Sequence, residues 1–135
     1  RDGTIYTGAG YPVDALRRLP GVAGLRVQKT ANGYQPIENI APVAHLLEHT
    51  RRTLPSVYRH WKVVDLSDWD PDKAYRSSLV RVRSAHIEEI VFSTDAIAEQ
   101  VTRLAGILEH TQRYQMGQPK SIDLSYGQEA VIRYN

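Results

Sequence analysis

The arrangement of periodic segments constrains the fold of this chain more than any other feature of its sequence. Two stretches, residues 42–52 and 94–114, have apolar residues at helical spacing. The other apolar stretches are short and alternate in polarity, which is typical of strands. They cover residues 61–66, 78–83, 86–92, 122–126 and 129–134. Because strands follow one another in adjacent runs, the order predicts an α+β domain, with a largely antiparallel β-sheet and two main helices packed on one face.

The second helix carries the clearer amphipathic stripe. Ser93 or Asp95 is well suited to cap its start, and Gly117 and Pro119 follow its end. The apolar stripe that should pack on the sheet consists of Ile97, Val101, Leu104, Ala105 and Leu108. In the first helix, Pro42 fits the first turn and Pro55 is expected to end the helix.

Weaker signals mark the rest of the chain. Short strands are expected at residues 3–6 and 24–27, and Asn32-Gly33 indicates a turn. No internal repeat is expected. A chain of 135 residues fits a single domain, and a strand-like start suggests a piece of a longer protein.

Composition excludes several functional classes. The net charge is +2, with 17 Lys and Arg against 15 Asp and Glu, which is too mild a balance to indicate nucleic-acid binding. The chain has no cysteine, and therefore no disulfide or thiolate chemistry. Its longest apolar runs are far shorter than the ~20 residues that a transmembrane helix needs.

One short motif matches a catalytic pattern. HLLEH, residues 45–49, has the H-x-x-E-H order of inverted zincins, in which His45 and His49 would bind zinc and Glu48 would act as general base. No third ligand stands out downstream. A solvent-facing helix surface explains the same residues, so we expect no metal here and keep a zinc-dependent hydrolase as the alternative.

Two other patterns are incomplete. Asp68, Asp70 and Asp72 have the spacing of a calcium loop, but Lys73 and Leu79 occupy the positions where an EF-hand needs Gly and Glu. GAGY, residues 8–11, begins like a phosphate-binding loop but lacks its third glycine. There is no G-x-S-x-G motif. The sequence therefore predicts a protein that is not an enzyme and that needs no cofactor.

The closing hairpin carries the strongest functional signal. Residues 122–126 and 129–134 flank a turn at Gly127, and the second of these strands is predicted to be an exposed edge strand. Proteins usually protect such edges, because a free edge pairs readily with another chain. The hairpin is therefore expected to bind a partner by strand addition.

Three segments in order resemble the extracytoplasmic beta domain of the FtsQ/DivIB cell-division family. DGTIY (residues 2–6) followed by LPGVAG (residues 19–24) resembles its opening strand and L-P-x-hydrophobic-x-G motif. IVFSTDAIAEQVTRLAGIL (residues 90–108) resembles its strand and helix, marked here by Gln100 and Leu104. IDLSYGQEAVIRY (residues 122–134) resembles its closing hairpin, although Ser125 stands where the family usually has Arg.

The resemblance implies a non-enzymatic divisome scaffold that binds FtsB- and FtsL-like partners. It implies a single-pass protein whose transmembrane helix and POTRA domain lie upstream, and whose soluble domain lies on the periplasmic face of the inner membrane. The residues expected to bind the partner are Ser125, Tyr126, Gly127, Glu129, Ala130, Val131, Ile132, Arg133 and Tyr134. A different POTRA-like envelope assembly module remains a second alternative.

Overall fold

The computed structural model describes residues 20–24, 29–30, 33–34, 41–69 and 79–134. The strands are β1 (Gly21–Ala23), β2 (Lys29–Thr30), β3 (Gly33–Tyr34), β4 (Trp61–Asp65), β5 (Leu79–Ser84), β6 (Glu89–Ser93), β7 (Pro119–Tyr126) and β8 (Glu129–Tyr134). The helices are α1 (Ala41–Thr53), α2 (Pro55–Tyr58) and α3 (Ile97–Arg113). The strand expected at residues 3–6, the GAGY segment, and Asp70 and Asp72 lie outside the described residues.

Six strands form one mixed sheet in the order β1-β4-β5-β6-β7-β8, and β2 and β3 pair separately. Three of its pairings, β4 with β5, β5 with β6 and β7 with β8, are antiparallel. The other two, β1 with β4 and β6 with β7, are parallel, and each parallel pair is connected through a helix. The α+β prediction is confirmed, and the sheet is mixed where it was expected to be largely antiparallel.

The helices α1 and α3 cover one face of this sheet. Alternation along β5, β6 and β7 sends every second side chain toward them, so the core residues of these strands recur at a spacing of two. In β4 an irregularity between Trp61 and Val63 places the buried residues Trp61 and Val64 three apart. The buried apolar cluster comprises Val43, Leu46, Trp61, Val64, Leu66, Trp69, Val80, Val82, Ile87, Ile90, Phe92, Ile97, Val101, Leu104, Ile122 and Leu124. The cluster draws on both helices and on strands β4 to β7, so the helices and the sheet share one core.

The predicted helix boundaries are close to the observed ones. In α1, Pro42 lies in the first turn, and Pro55 opens α2 directly after the break at Leu54. In α3, three members of the predicted stripe (Ile97, Val101 and Leu104) are buried, whereas Ala105 and Leu108 are half-buried. None of the helices among the described residues is both long and apolar enough to cross a membrane.

The prediction that Ser93 or Asp95 caps the start of α3 is wrong. Its N-cap residue is Ala96, which has a left-handed backbone conformation (φ 49°), and no side chain caps the helix there. Gln100 holds the turn before α3 instead: its side-chain oxygen accepts the N–H of Ser93 (2.9 Å), and its Nε2 donates to the Ser93 carbonyl (3.1 Å) and to the Asp95 carbonyl. A buried amide therefore joins the end of β6 to α3, which explains why a polar residue lies within the apolar stripe.

Removing this amide should destabilise the fold. Gln100→Ala leaves the N–H and C=O of half-buried Ser93 without their side-chain partner, and the loss of such a partner costs about 1–3 kcal/mol. We expect the free energy of unfolding, measured by urea titration, to fall by an amount in this range. Gln112→Ala is the matched control because Gln112 is exposed on the same helix. Equal stability of the two variants would contradict this role for Gln100.

The prediction of a strand at residues 24–27 placed this strand too late in the sequence. The strand β1 ends at Ala23, and residues 25–28 lie outside the described residues. Gly24 has φ +76°, and a Cβ on it would lie 2.5 Å from Ser67 N and 2.7 Å from Asp65 Oδ1. Both atoms belong to a turn at the end of β4, in which Asp65 Oδ1 accepts hydrogen bonds from the Ser67 hydroxyl and the Ser67 N–H. These two bonds lower the pKa of the Asp65 carboxyl. Gly24 is thus the residue that lets the chain pass close to that turn.

Candidate partner-binding edge

The strand β8 lies at one end of the six-stranded sheet. Among the described residues it pairs only with β7, in an antiparallel register that places Ile122 opposite Ile132 and Asp123 opposite Val131. Gly127 turns the chain between the strands with φ +65°, a conformation that glycine adopts without strain. The register shifts between Asp123 and Tyr126, close to this turn. One row of β8 main-chain groups therefore points away from the sheet.

The side chains of β8 alternate as the sequence predicts, and the structure shows which set faces the helices. Ala130, Ile132 and Tyr134 are half-buried, and Ala130 and Ile132 pack against the core cluster. The alternate residues, Glu129, Val131 and Arg133, are exposed on the opposite face. Val131, a branched apolar residue, is 48% exposed on this face. The strand thus offers an apolar row on the helix side and a mixed row on the other side.

The end of β8 is fixed to the helix layer through its last tyrosine. The Tyr134 hydroxyl lies 3.3 Å from Thr111 Oγ1, near the end of α3, and donates a weak bond to Met116 Sδ at 3.9 Å. Thr111 is buried although it is polar. These contacts hold the strand end, so its free main-chain groups keep a defined direction.

The hairpin residues that were expected to bind the partner lie in three different places. Glu129 to Tyr134 form β8 itself, Gly127 begins the exposed turn, and Tyr126 is the exposed last residue of β7. Ser125 lies on β7, one strand in from the free edge, and its hydroxyl and N–H both donate to Asp123 Oδ1 (2.5 and 2.9 Å). In the folded chain, Ser125 therefore helps to shape the end of β7.

Two exposed residues after the end of α3 were not predicted from the sequence, and one of them contacts β8. Tyr114, 62% exposed, packs against His110 with ring centroids 4.6 Å apart and a tilt of 46° between the rings, and Met116, 45% exposed, contacts Tyr134. They follow α3 in the sequence, so no periodic pattern connects them with β8. The only signal was compositional, because Met116 is the one methionine of the chain.

The HLLEH segment has the geometry of an ordinary helix surface. Glu48 accepts two bonds from Arg51, from Nη2 at 2.7 Å and from Nε at 3.2 Å, so its carboxylate serves an ion pair on its own helix. The rings of His45 and His49 are 5.7 Å apart. No group of three potential metal-binding residues occurs in the part of the chain that the structure describes.

We expect the purified protein to contain no stoichiometric zinc, because the described residues offer no third ligand beside His45 and His49. The measurement is elemental analysis of protein purified without chelator. One zinc per chain that disappears in His49→Ala would contradict the prediction and favour the hydrolase alternative. Arg52→Ala, which changes the same helix outside the motif, is the control for nonspecific loss of metal.

No protein-family model matches the chain, and no curated protein matches it with significance.

Proposed function

We propose that the chain is a non-enzymatic protein-interaction domain of the FtsQ/DivIB type, which binds a strand of an FtsB-like partner at β8. The observation that carries the proposal is the position of β8 at the end of the sheet, paired with β7 alone among the described residues. In strand addition, main-chain hydrogen bonds provide affinity and alternate side chains provide selectivity. The half-buried row of Ala130, Ile132 and Tyr134 supplies such side chains on the helix face.

Residues that carry the family resemblance also occupy positions with clear structural roles. Gly24 lets the chain pass close to the turn at Asp65 and Ser67, Gln100 ties β6 to α3, and Leu104 of α3 is fully buried in the core. These roles concern the scaffold and support the resemblance at the level of fold. In this proposal the full protein is anchored in the inner membrane by a segment upstream of residue 1, and this domain assembles FtsB- and FtsL-like proteins at the division septum from the periplasmic side.

Amide hydrogen exchange tests the proposal directly. The protein is compared alone and with an FtsB-like extracytoplasmic fragment, and the exchange of individual main-chain amides is followed. We expect new protection to be concentrated in β8, at alternate residues, because only every second N–H of an edge strand points outward. Protection confined to another surface, with β8 unchanged, would overturn the assignment of the site.

The upstream sequence of the gene separates this proposal from the POTRA-like alternative. A transmembrane segment followed by a separate POTRA domain just before residue 1 favours the FtsQ/DivIB type. A tandem array of further small domains in that place favours a different envelope assembly module.

A further inference from the structure

Two parts of the sequence repeat each other. LLEHTRR (residues 46–52) aligns without gaps with ILEHTQR (residues 107–113), with identical residues at five of the seven positions. Further on, VDLS (residues 64–67) aligns with IDLS (residues 122–125). The two matches occur in the same order, first in a helix and then in the strand that follows it. Short helix α2 lies between the matched segments in the first copy only, which obscures the repeat in the sequence.

The structure repeats in the same places. The first unit consists of β1, α1, β4 and β5, and the second of β6, α3, β7 and β8. In each unit the first strand pairs in parallel with the strand after the helix, which then pairs antiparallel with the last strand. The registers agree as well, since Val64 lies opposite Val82 in the first unit and Ile122 lies opposite Ile132 in the second.

The matched residues also make the same local bonds. In the first unit, Asp65 Oδ1 accepts both the N–H and the hydroxyl of Ser67, and in the second unit Asp123 Oδ1 accepts both groups from Ser125. The equivalent helix threonines, Thr50 and Thr111, are both buried polar residues. The chain therefore contains two copies of one strand-helix-strand-strand unit, contrary to the expectation of no internal repeat.

The repeat makes β8 the counterpart of β5. The outer edge of β5 is covered by β6, the first strand of the second unit, in antiparallel register. On the helix face, β5 contributes Val80 and Val82, which are 1% and 0% exposed. Their counterparts in β8, Ala130 and Ile132, are only half-buried. The second unit thus has the same apolar row as the first, without a neighbouring strand among the described residues.

We propose that β8 binds its partner as an antiparallel strand in the register with which β5 binds β6. This inference rests on the proposed function of β8 as the docking edge and specifies the chemistry of the partner. Phe92 lies opposite Val80, Val91 opposite Arg81 and Ile90 opposite Val82.

The equivalent partner strand therefore places an aliphatic residue opposite Ile132 and a large apolar residue opposite Ala130. Ala130 is smaller than its counterpart Val80, so it leaves room for an aromatic side chain. On the other face, Arg81 binds Glu89 through Nη1 (2.7 Å), but its counterpart in β8 is the exposed Val131. The partner residue opposite Val131 is therefore expected to be apolar, as Val91 is in β6. From its amino end, the partner strand reads aliphatic, apolar, aromatic, as β6 reads Ile90, Val91, Phe92.

Because the chain has no cysteine, disulfide trapping can read this register. The protein variant is Val131→Cys, and the probe is a synthetic peptide with the sequence of residues 87–94. Three versions of the peptide carry a single cysteine in place of Ile90, Val91 or Phe92. Cross-linking in a glutathione buffer is followed by intact mass. We expect the peptide with cysteine at the Val91 position to react roughly tenfold faster than the other two, whose cysteines face the helix side.

The matched control is Arg83→Cys, an exposed residue on the same face of β5, a strand already covered by β6. It should not discriminate among the three peptides. The register is overturned if the three peptides react with Val131→Cys at equal rates, if a peptide with cysteine at another position reacts fastest, or if no peptide cross-links. Faster formation of a protein homodimer than of any peptide adduct identifies a second copy of the chain as the occupant and also overturns it. If the register fails while the FtsB-like fragment still protects β8 from exchange, the proposed function stands without the β6-like partner chemistry.

Discussion

Proline at Val131 or at Ile132 is expected to abolish binding of an FtsB-like fragment in one of the two variants while sparing the fold. The N–H groups of successive strand residues point to opposite sides, so one of these two faces β7 and the other faces the free edge. Proline removes the N–H and blocks continuation of the ladder. A partner carbonyl left unsatisfied costs about 1–3 kcal/mol, and the steric conflict adds to this loss.

The two variants control each other. The variant that removes the outward N–H should lose binding in a calorimetric titration and keep a wild-type circular dichroism spectrum. The variant that removes the N–H facing β7 should lose stability as well, because it breaks the ladder between β7 and β8. If both variants are folded and bind with unchanged affinity, β8 is not the docking site.

Leu104→Ala is expected to have the largest effect on stability. Leu104 is fully buried and belongs to the core cluster between α3 and the sheet. Truncation of a buried leucine to alanine costs about 2–5 kcal/mol, a large part of the ~5–15 kcal/mol that stabilises a typical domain. The thermal midpoint should therefore fall by many degrees, since each kcal/mol shifts it by roughly 2–8 °C in domains of about this size.

Leu108→Ala is the matched comparison for this experiment. It is the same substitution one helical turn further along α3, at a half-buried position. It should cost clearly less than Leu104→Ala in a thermal melt followed by circular dichroism. If Leu104→Ala melts within a degree or two of the wild type, or Leu108→Ala costs more, α3 does not pack as described.

Local periodicity predicted most of the elements. The helices α1 and α3, the strands β4 and β5, and the closing hairpin lie within a few residues of their predicted bounds, because each buries one regular face. The start of β6 was placed three residues too early, because Ile87 is apolar and buried although it lies in the preceding turn. Periodicity reports burial, and a buried turn residue is indistinguishable from a strand residue in the sequence.

The features that the sequence did not predict depend on distant residues. The parallel pairings of β1 with β4 and of β6 with β7 each join segments separated by a helix. The turn before α3 depends on Gln100, seven residues after Ser93, and on the backbone of Ala96, where alanine gives no hint of a left-handed conformation. The alternation in β8 left open which row faces the core, because either row contains an apolar residue.

At the candidate site, the sequence located the strand but not its surroundings. The turn at Gly127 and the alternation of residues 129–134 indicated the edge position of β8. The contacts of Tyr134 with Thr111 and Met116 arise because the end of α3 lies beside the end of the last strand. Such contacts join the helix layer to the sheet, so they produce no periodic pattern in the sequence.

The parallel pairing of β6 with β7 also determines which part of the sheet can open alone. The hairpin of β7 and β8 closes across a two-residue turn, whereas its connection to β6 passes through the whole of α3. Local closure costs little chain entropy, and closure over a long connection costs more. The strand β8 can therefore fray from β7 and re-form across this short turn, whereas Ile122 and Leu124 hold β7 in the core. A bound partner strand would suppress this fraying and slow exchange of the β7 amides that bond to β8, in a strand that the partner does not touch.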